Sequence, residues 1–169
     1  MAEKKKAGTC KVLIVTGCMA QRYKKEISEE IPEVDAILGT TSYGDIIKAV
    51  KEAEAGRHFE EYKSIDFLPN ISGKRMLTTG GHFAYLKIAE GCDKHCTYCI
   101  IPKLRGSYRS VPMEQLVKEA QSLAEQGVKE LILVAQETTL YGKDLYGKKS
   151  LHVLLKELCK IKGIRWIRI

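Results

Sequence analysis

This sequence predicts an α/β protein in two segments, and three observations carry that expectation. Short apolar runs alternate with helix-forming stretches from Val12 to Ala55, and the alternation resumes from Phe83 to Ile169. Between them, over 57–81, the pattern weakens and Pro69, Gly73, Gly80 and Gly81 punctuate the chain. Strands and helices in alternation build parallel sheets with helices packed on their faces. The expected division is therefore 1–56, a linker over 57–81, and 82–169.

Taken in order, residues 1–10 are charged and small, and a frayed start is expected there. Val12-Leu13-Ile14-Val15 reads as a buried strand stopped by Gly17. Arg22 to Ile31 carries helix formers and ends at Pro32. Ala36-Ile37-Leu38 is a second short strand, closed by Gly39. Asp45 to Ala55 reads as a helix with Ile46, Ile47, Val50 and Ala53 on its inner side and Gly56 past its end.

The second segment opens with a strand over Phe83 to Ala89. Pro112 suits the first turn of a helix that runs to Gln126, with Gly127 as its stop. Leu116, Val117, Ala120, Leu123 and Ala124 form its inward stripe. Leu131 to Ala135 is the next strand, and a polar loop with Gly142 and Gly147 follows it. A helix from Leu151 to Ile161 then aligns Leu151, Leu154, Leu155 and Leu158, with Cys159 expected as a small core or flank residue. Ile164 to Ile169 opens a third strand. Three strands alternating with helices fit the opening of a TIM-like barrel, a fold that places its chemistry in loops at the carboxyl ends of the strands.

One such loop is Gly91-Cys92-Asp93-Lys94-His95-Cys96-Thr97-Tyr98-Cys99, which holds three of the six cysteines at C-x3-C-x2-C spacing. Thiolate sulfur is the soft ligand that iron–sulfur clusters and zinc prefer. Three thiolates on one loop hold three irons of a 4Fe–4S cube and leave the fourth open to a small molecule. Zinc held by the three thiolates and His95 is the alternative, although His95 and Cys96 are chain neighbours and converge poorly on one ion. Disulfides are not expected, because six cysteines in 169 residues make no dense framework and no apolar leader precedes them. A cytoplasmic protein is the expectation.

Hydrophobic content of 44% and charged content of 29% are ordinary for a globular protein. No apolar run approaches the length of a membrane span. The net charge of +7 leans towards an acidic partner such as nucleic acid or a ribonucleoprotein, though part of it lies in the Lys4-Lys5-Lys6 run.

The cysteine spacing resembles the signature of the radical S-adenosylmethionine (radical SAM) enzymes, and the whole chain resembles the methylthiotransferases among them. Gly17-Cys18-Met19-Ala20-Gln21-Arg22-Tyr23 is similar to the end of that family's amino-terminal domain, and Ala84 to Ile88 leading into Glu90-Gly91-Cys92 to the start of its catalytic barrel. Ile101-Pro102, Arg105-Gly106 and Arg109-Ser110 follow as in the family. The fold implied is the end of an α/β amino-terminal methylthiotransferase domain followed by the first three βα units of a radical SAM partial TIM barrel. The resemblance also implies truncation at both ends.

The resemblance implies a 4Fe–4S cluster on Cys92, Cys96 and Cys99, with S-adenosylmethionine chelated at the open iron. Tyr98 is implied near the cofactor, and Gln136 and Glu137 as contacts for its methionyl amino group. Arg105 and Arg109 are candidates for an acidic substrate or a cofactor carboxylate. Cys18 matches the last of three ligands of a second, auxiliary cluster, whereas Cys10 sits at no family ligand position. The implied reaction transfers a methylthio group to a carbon that a deoxyadenosyl radical has stripped of hydrogen.

Val134-Ala135-Gln136-Glu137-Thr138-Thr139-Leu140-Tyr141-Gly142 and Asp144-Leu145-Tyr146-Gly147 resemble the branch that modifies an aspartate β-carbon of ribosomal protein S-twelve in the small subunit. Glu137 stands where that branch is expected to carry aspartate. The transfer-RNA adenosine branch is expected to carry glycine before the glutamine and asparagines after it. The remaining alternative is a non-catalytic iron–sulfur-binding remnant.

Overall fold

The structure, a computed structural model, describes residues 1–67, 75–78 and 80–169. Two of the expected punctuation marks, Pro69 and Gly73, lie outside them. The chain divides into two compact units, Met1–Pro69 with Lys103–Arg105, and Asn70–Pro102 with Gly106–Ile169. Among the described residues no helix is long and apolar enough to cross a membrane.

In the first unit the elements run α1 (Ala2–Lys6), β1 (Ile14–Thr16), α2 (Cys18–Arg22), α3 (Lys24–Glu30), β2 (Ala36–Leu38), α4 (Ile46–Glu54) and β3 (Phe59–Glu61). The sheet order is β1-β2-β3, all parallel, with Ile14 opposite Ala36 and Ala36 opposite Phe59. The central strand β2 is buried throughout. Ile37 packs with Ala20 and Val34 on one face, and Ala36 and Leu38 with Ala49 on the other. Burial on both faces explains why β2 reads as an unbroken apolar run.

Several expectations change here. The first residues are not frayed: α1 is tied down by Lys5 to Asp35 at 2.8 Å and Lys6 to Glu33 at 2.6 Å. The single helix expected over Arg22–Ile31 is two, because the chain leaves helical geometry at Tyr23 (φ −115°, ψ 43°). On α4 the buried residues are Ala49 and Ala53, while Ile46 and Ile47 face outward, Ile47 being 64% exposed. The sheet takes the small side chains of α4 because they let the helix approach closely. Finally, β3 lies within 57–81, the stretch expected as a linker, and completes the sheet.

The second unit contains β4 (Phe83–Lys87), β5 (Ala89–Glu90), α5 (Ile101–Arg105), β6 (Arg109–Ser110), α6 (Met113–Glu125), β7 (Glu130–Val134), α7 (Lys143–Tyr146), α8 (Leu151–Cys159) and β8 (Trp166–Arg168); the last three residues of α5 group with the first unit. The main sheet is β4-β7-β8, all parallel, with Leu86 opposite Leu133 and Leu131 opposite Ile167. Sequential parallel neighbours joined by helices match the expected alternation of strands and helices on a parallel sheet.

One face of this sheet carries the core. Ala84, Leu86, Leu131 and Leu133 alternate inward and meet Leu116, Ala120 and Leu123 of α6 and Leu154 and Leu158 of α8. Val117, Ala124, Leu151 and Leu155 pack against the same cluster while half-buried. Each fully buried leucine contributes about 1.5–3 kcal/mol relative to exposure. Cys159 takes the flank position of the two expected, exposed and off the Leu154–Leu158 stripe.

Candidate active site at the carboxyl ends of β4 and β7

The strand expected over Phe83–Ala89 bends after Lys87. Its continuation, β5, pairs antiparallel with β6 instead, Ala89 opposite Ser110 and Glu90 opposite Arg109. The cysteine loop begins there, at Gly91, with φ 78°. A Cβ at this position would lie 2.0 Å from the Ser107 carbonyl oxygen and 2.6 Å from that of Gly106. Only glycine has both the conformation and the room. The close approach lets the Cys92 N–H donate to the Gly106 carbonyl at 3.1 Å.

From Cys92 to Cys96 the loop has no helix or strand of its own. Cys92 is buried, Cys96 exposed and Cys99 half-buried, and the Cys99 N–H donates to the Cys96 carbonyl at 3.0 Å. Their chemistry suits an iron–sulfur cube, being three thiols on one short loop. The structure does not gather them, however. Among the described residues no group of three or more His, Cys, Asp or Glu side chains is placed to hold a metal ion. Ligand geometry of this kind forms together with metal binding. His95 is exposed on the same loop.

The loop after β7 faces this one. Glu137 pairs with Lys94 of the cysteine loop and accepts from the Thr139 N–H at 3.0 Å and the Thr139 hydroxyl at 2.5 Å. These contacts, Lys94 first, lower the Glu137 carboxyl to about 2. Glu137 is thus a fixed anion already engaged with an ammonium group. Gln136 beside it is exposed, and Tyr98 is 93% exposed. Glu137 therefore meets the cysteine loop through Lys94, whereas Tyr98 and Gln136 are both exposed.

Sequence reasoning missed the residues that organise the site. Tyr108 is 5% exposed; its N–H donates to Asp93 Oδ1 at 2.9 Å and its hydroxyl to the Glu137 carbonyl at 2.8 Å. Burial pushes its phenol up to about 12. Ser110 is bound by Asp144, and the Tyr141 hydroxyl donates to the Val111 carbonyl at 2.9 Å. Ser110, Tyr141 and Asp144 stand inside motifs quoted above, but nothing in those motifs pairs them, and Tyr108 is a lone aromatic between Arg105 and Arg109. Arg109 donates to the Ser107 carbonyl. Arg105 Nε, grouped with the first unit, lies 3.1 Å from Cys18 Sγ.

Comparison with known proteins bears on this geometry directly. Residues 86–169 match the Radical SAM superfamily, a range that holds the cysteine loop, β7 and β8. Residues 86–169 of this chain form a domain of the radical SAM superfamily. Residues 1–39 match a second family, described as Uncharacterized protein family UPF0004. The chain is 64% identical over 169 residues to a protein of Lachnoclostridium phytofermentans named ribosomal protein uS12 methylthiotransferase RimO. Proteins of the same name from Clostridioides difficile and Clostridium botulinum are 55% and 56% identical over 168 and 171 residues. These alignments take in 99–100% of this chain and 38% of each relative, so the chain spans well under half their length.

Proposed function

We propose that this chain carries the radical-generating part of a methylthiotransferase that modifies an aspartate β-carbon of ribosomal protein uS12. The observation that carries the reading is 64% identity along the whole chain to a protein of that name, with the cysteine loop at the strand end where the fold puts chemistry. Residues 1–56 are read as the end of the amino-terminal domain, with β3 added, and 82–169 as the opening of the radical SAM core.

Cys92, Cys96 and Cys99 would hold a 4Fe–4S cluster, and Cys18 one corner of an auxiliary cluster. When bound, the radical SAM cluster supplies the electron that splits S-adenosylmethionine to the radical which abstracts hydrogen. The chain's own part is binding and orientation. Glu137 already meets the ammonium of Lys94, and the methionyl amino group of S-adenosylmethionine is an ammonium of the same kind. Gln136 stands beside it at the strand end, and Tyr98 lies on the cysteine loop. Gly91 and Cys92 fix where that loop begins.

The uS12 branch is favoured over transfer RNA by Gln136-Glu137-Thr138-Thr139 at the end of β7. Anaerobic incubation of uS12 and transfer RNA, side by side, with a protein carrying this chain at its relatives' full length tests the reading. Mass spectrometry is expected to find the methylthio group on uS12. A methylthio group on transfer RNA in its place overturns the assignment.

A further inference from the structure

The stretch 106–113 touches both loops of the site and belongs to neither. On one side it meets the cysteine loop. The Gly106 carbonyl accepts from Cys92, the Ser107 carbonyl lies against Gly91, and the Tyr108 N–H holds Asp93. On the other side it meets the loop after β7. The Tyr108 hydroxyl holds the Glu137 carbonyl, Ser110 holds Asp144, and Val111 accepts from Tyr141.

We propose that Tyr108 is a positioning residue, a rigid spacer that sets the cysteine loop at a fixed distance from the end of β7. The inference rests on the reading of Cys92, Cys96 and Cys99 as cluster ligands and concerns how their loop is held. A loop without its own hydrogen-bond ladder takes its shape from outside anchors. Asp93, the residue after Cys92, has one such anchor in the Tyr108 N–H. A second link between the two loops, Lys94 to Glu137, is an ion pair whose lysine is 55% exposed. Exposed pairs of that kind order little. Tyr108 is nearly buried: its backbone N–H holds Asp93, and its side chain, with two torsions to fix, carries the hydroxyl to the Glu137 carbonyl.

Tyr108→Phe removes the hydroxyl and keeps the ring. In the chain before iron is added, deuterium exchange over 91–99 is expected to quicken about fivefold, the scale of one lost hydrogen bond, with 151–159 unchanged. After anaerobic reconstitution the variant is expected to match the wild-type iron content yet bind S-adenosylmethionine about fivefold more weakly. The electron paramagnetic resonance signal of the reduced, S-adenosylmethionine-bound cluster is expected to shift with it. Tyr141→Phe loses a buried hydroxyl bond of the same kind, to Val111, and serves as the control. It is expected to lower the melting temperature and leave exchange over 91–99 unchanged. Equal exchange in wild type and Tyr108→Phe overturns the proposal, as does an equal response to Tyr141→Phe. A wild-type chain that takes up no iron overturns the cluster reading instead, and the exchange comparison still decides the role of Tyr108.

Discussion

Asp144 grips Ser110 at both ends: Oδ2 accepts from the Ser110 N–H at 2.8 Å and Oδ1 from its hydroxyl at 2.6 Å. The same hydroxyl oxygen accepts from the Gly142 N–H at 2.8 Å, so a serine 2% exposed has its bonding satisfied. One side chain thereby joins β6, the turn at Gly142 and the first turn of α7.

Ser110→Ala is expected to cost about 1–3 kcal/mol, because it leaves the Gly142 N–H buried without an acceptor. In a chain of this size each kcal/mol lowers the melting temperature by about 2–4 °C. Asp144→Asn keeps one acceptor oxygen and is expected to cost less than Ser110→Ala. Thermal denaturation of the two variants checks the order; the reverse order means that Asp144 acts through something other than Ser110.

Anaerobic reconstitution with iron and sulfide is expected to give about four irons per chain, the content of one 4Fe–4S cube. Alanine at Cys92, Cys96 or Cys99 is expected to abolish most of it, and alanine at Cys18 to leave it nearly unchanged. Iron assay with elemental analysis decides. Stoichiometric zinc lost on His95→Ala sinks the cube, and loss of half the iron on Cys18→Ala reveals a second site within the chain.

Gly91→Ala is expected to be among the most damaging single changes in the molecule. The added carbon meets backbone carbonyls at 2.0 and 2.6 Å, and φ 78° strains any side chain. The loop start must move, which breaks the Cys92 bond to Gly106. Far-ultraviolet circular dichroism and iron uptake are expected to fall together; a variant with wild-type uptake shows that the loop tolerates a different entry.

The Glu137 carboxyl is lowered in the folded chain from 4.5 to about 2, chiefly by Lys94. Its contribution is therefore complete above pH 4.5 and is lost as pH falls towards 2. Lys94 is half-exposed, so solvent screening keeps the contribution small. The melting-temperature gap between wild type and Glu137→Gln is expected to be constant from pH 7 to 5 and to narrow below 4.5. A gap that widens on acidification contradicts this sign.

The strands that were legible from sequence share a cause. Ile14–Thr16, Ala36–Leu38 and Glu130–Val134 lie in apolar runs, and the first two are bounded by glycine. The strand Phe59–Glu61 was not legible, since two of its three residues are glutamates; its place at the sheet edge needs only backbone pairing with β2. Ile46 and Ile47 misled, because helical periodicity says which residues share a face and not which face turns inward. At the site, cysteine spacing is a one-dimensional signal and was readable as such. The anchoring by Tyr108, Ser110 and Asp144 is not, because it joins residues 15 to 34 positions apart through single side-chain bonds.

The pairing of β4 with β7 also sets a timetable during synthesis. Both strands are in the same sheet, yet the three thiols lie on the chain between them. At ~5–20 residues per second, the roughly 35 residues separating Cys99 from the end of β7 take about 2–7 s to make. For that interval the nascent thiols have left the ribosome's active centre without the strand whose loop will face them. An interval of the same length separates the emergence of the loop from that of β7, and oxygen or stray metal is expected to have its easiest access then, so the yield of loaded protein is expected to depend on the pace of synthesis as well as on the finished fold.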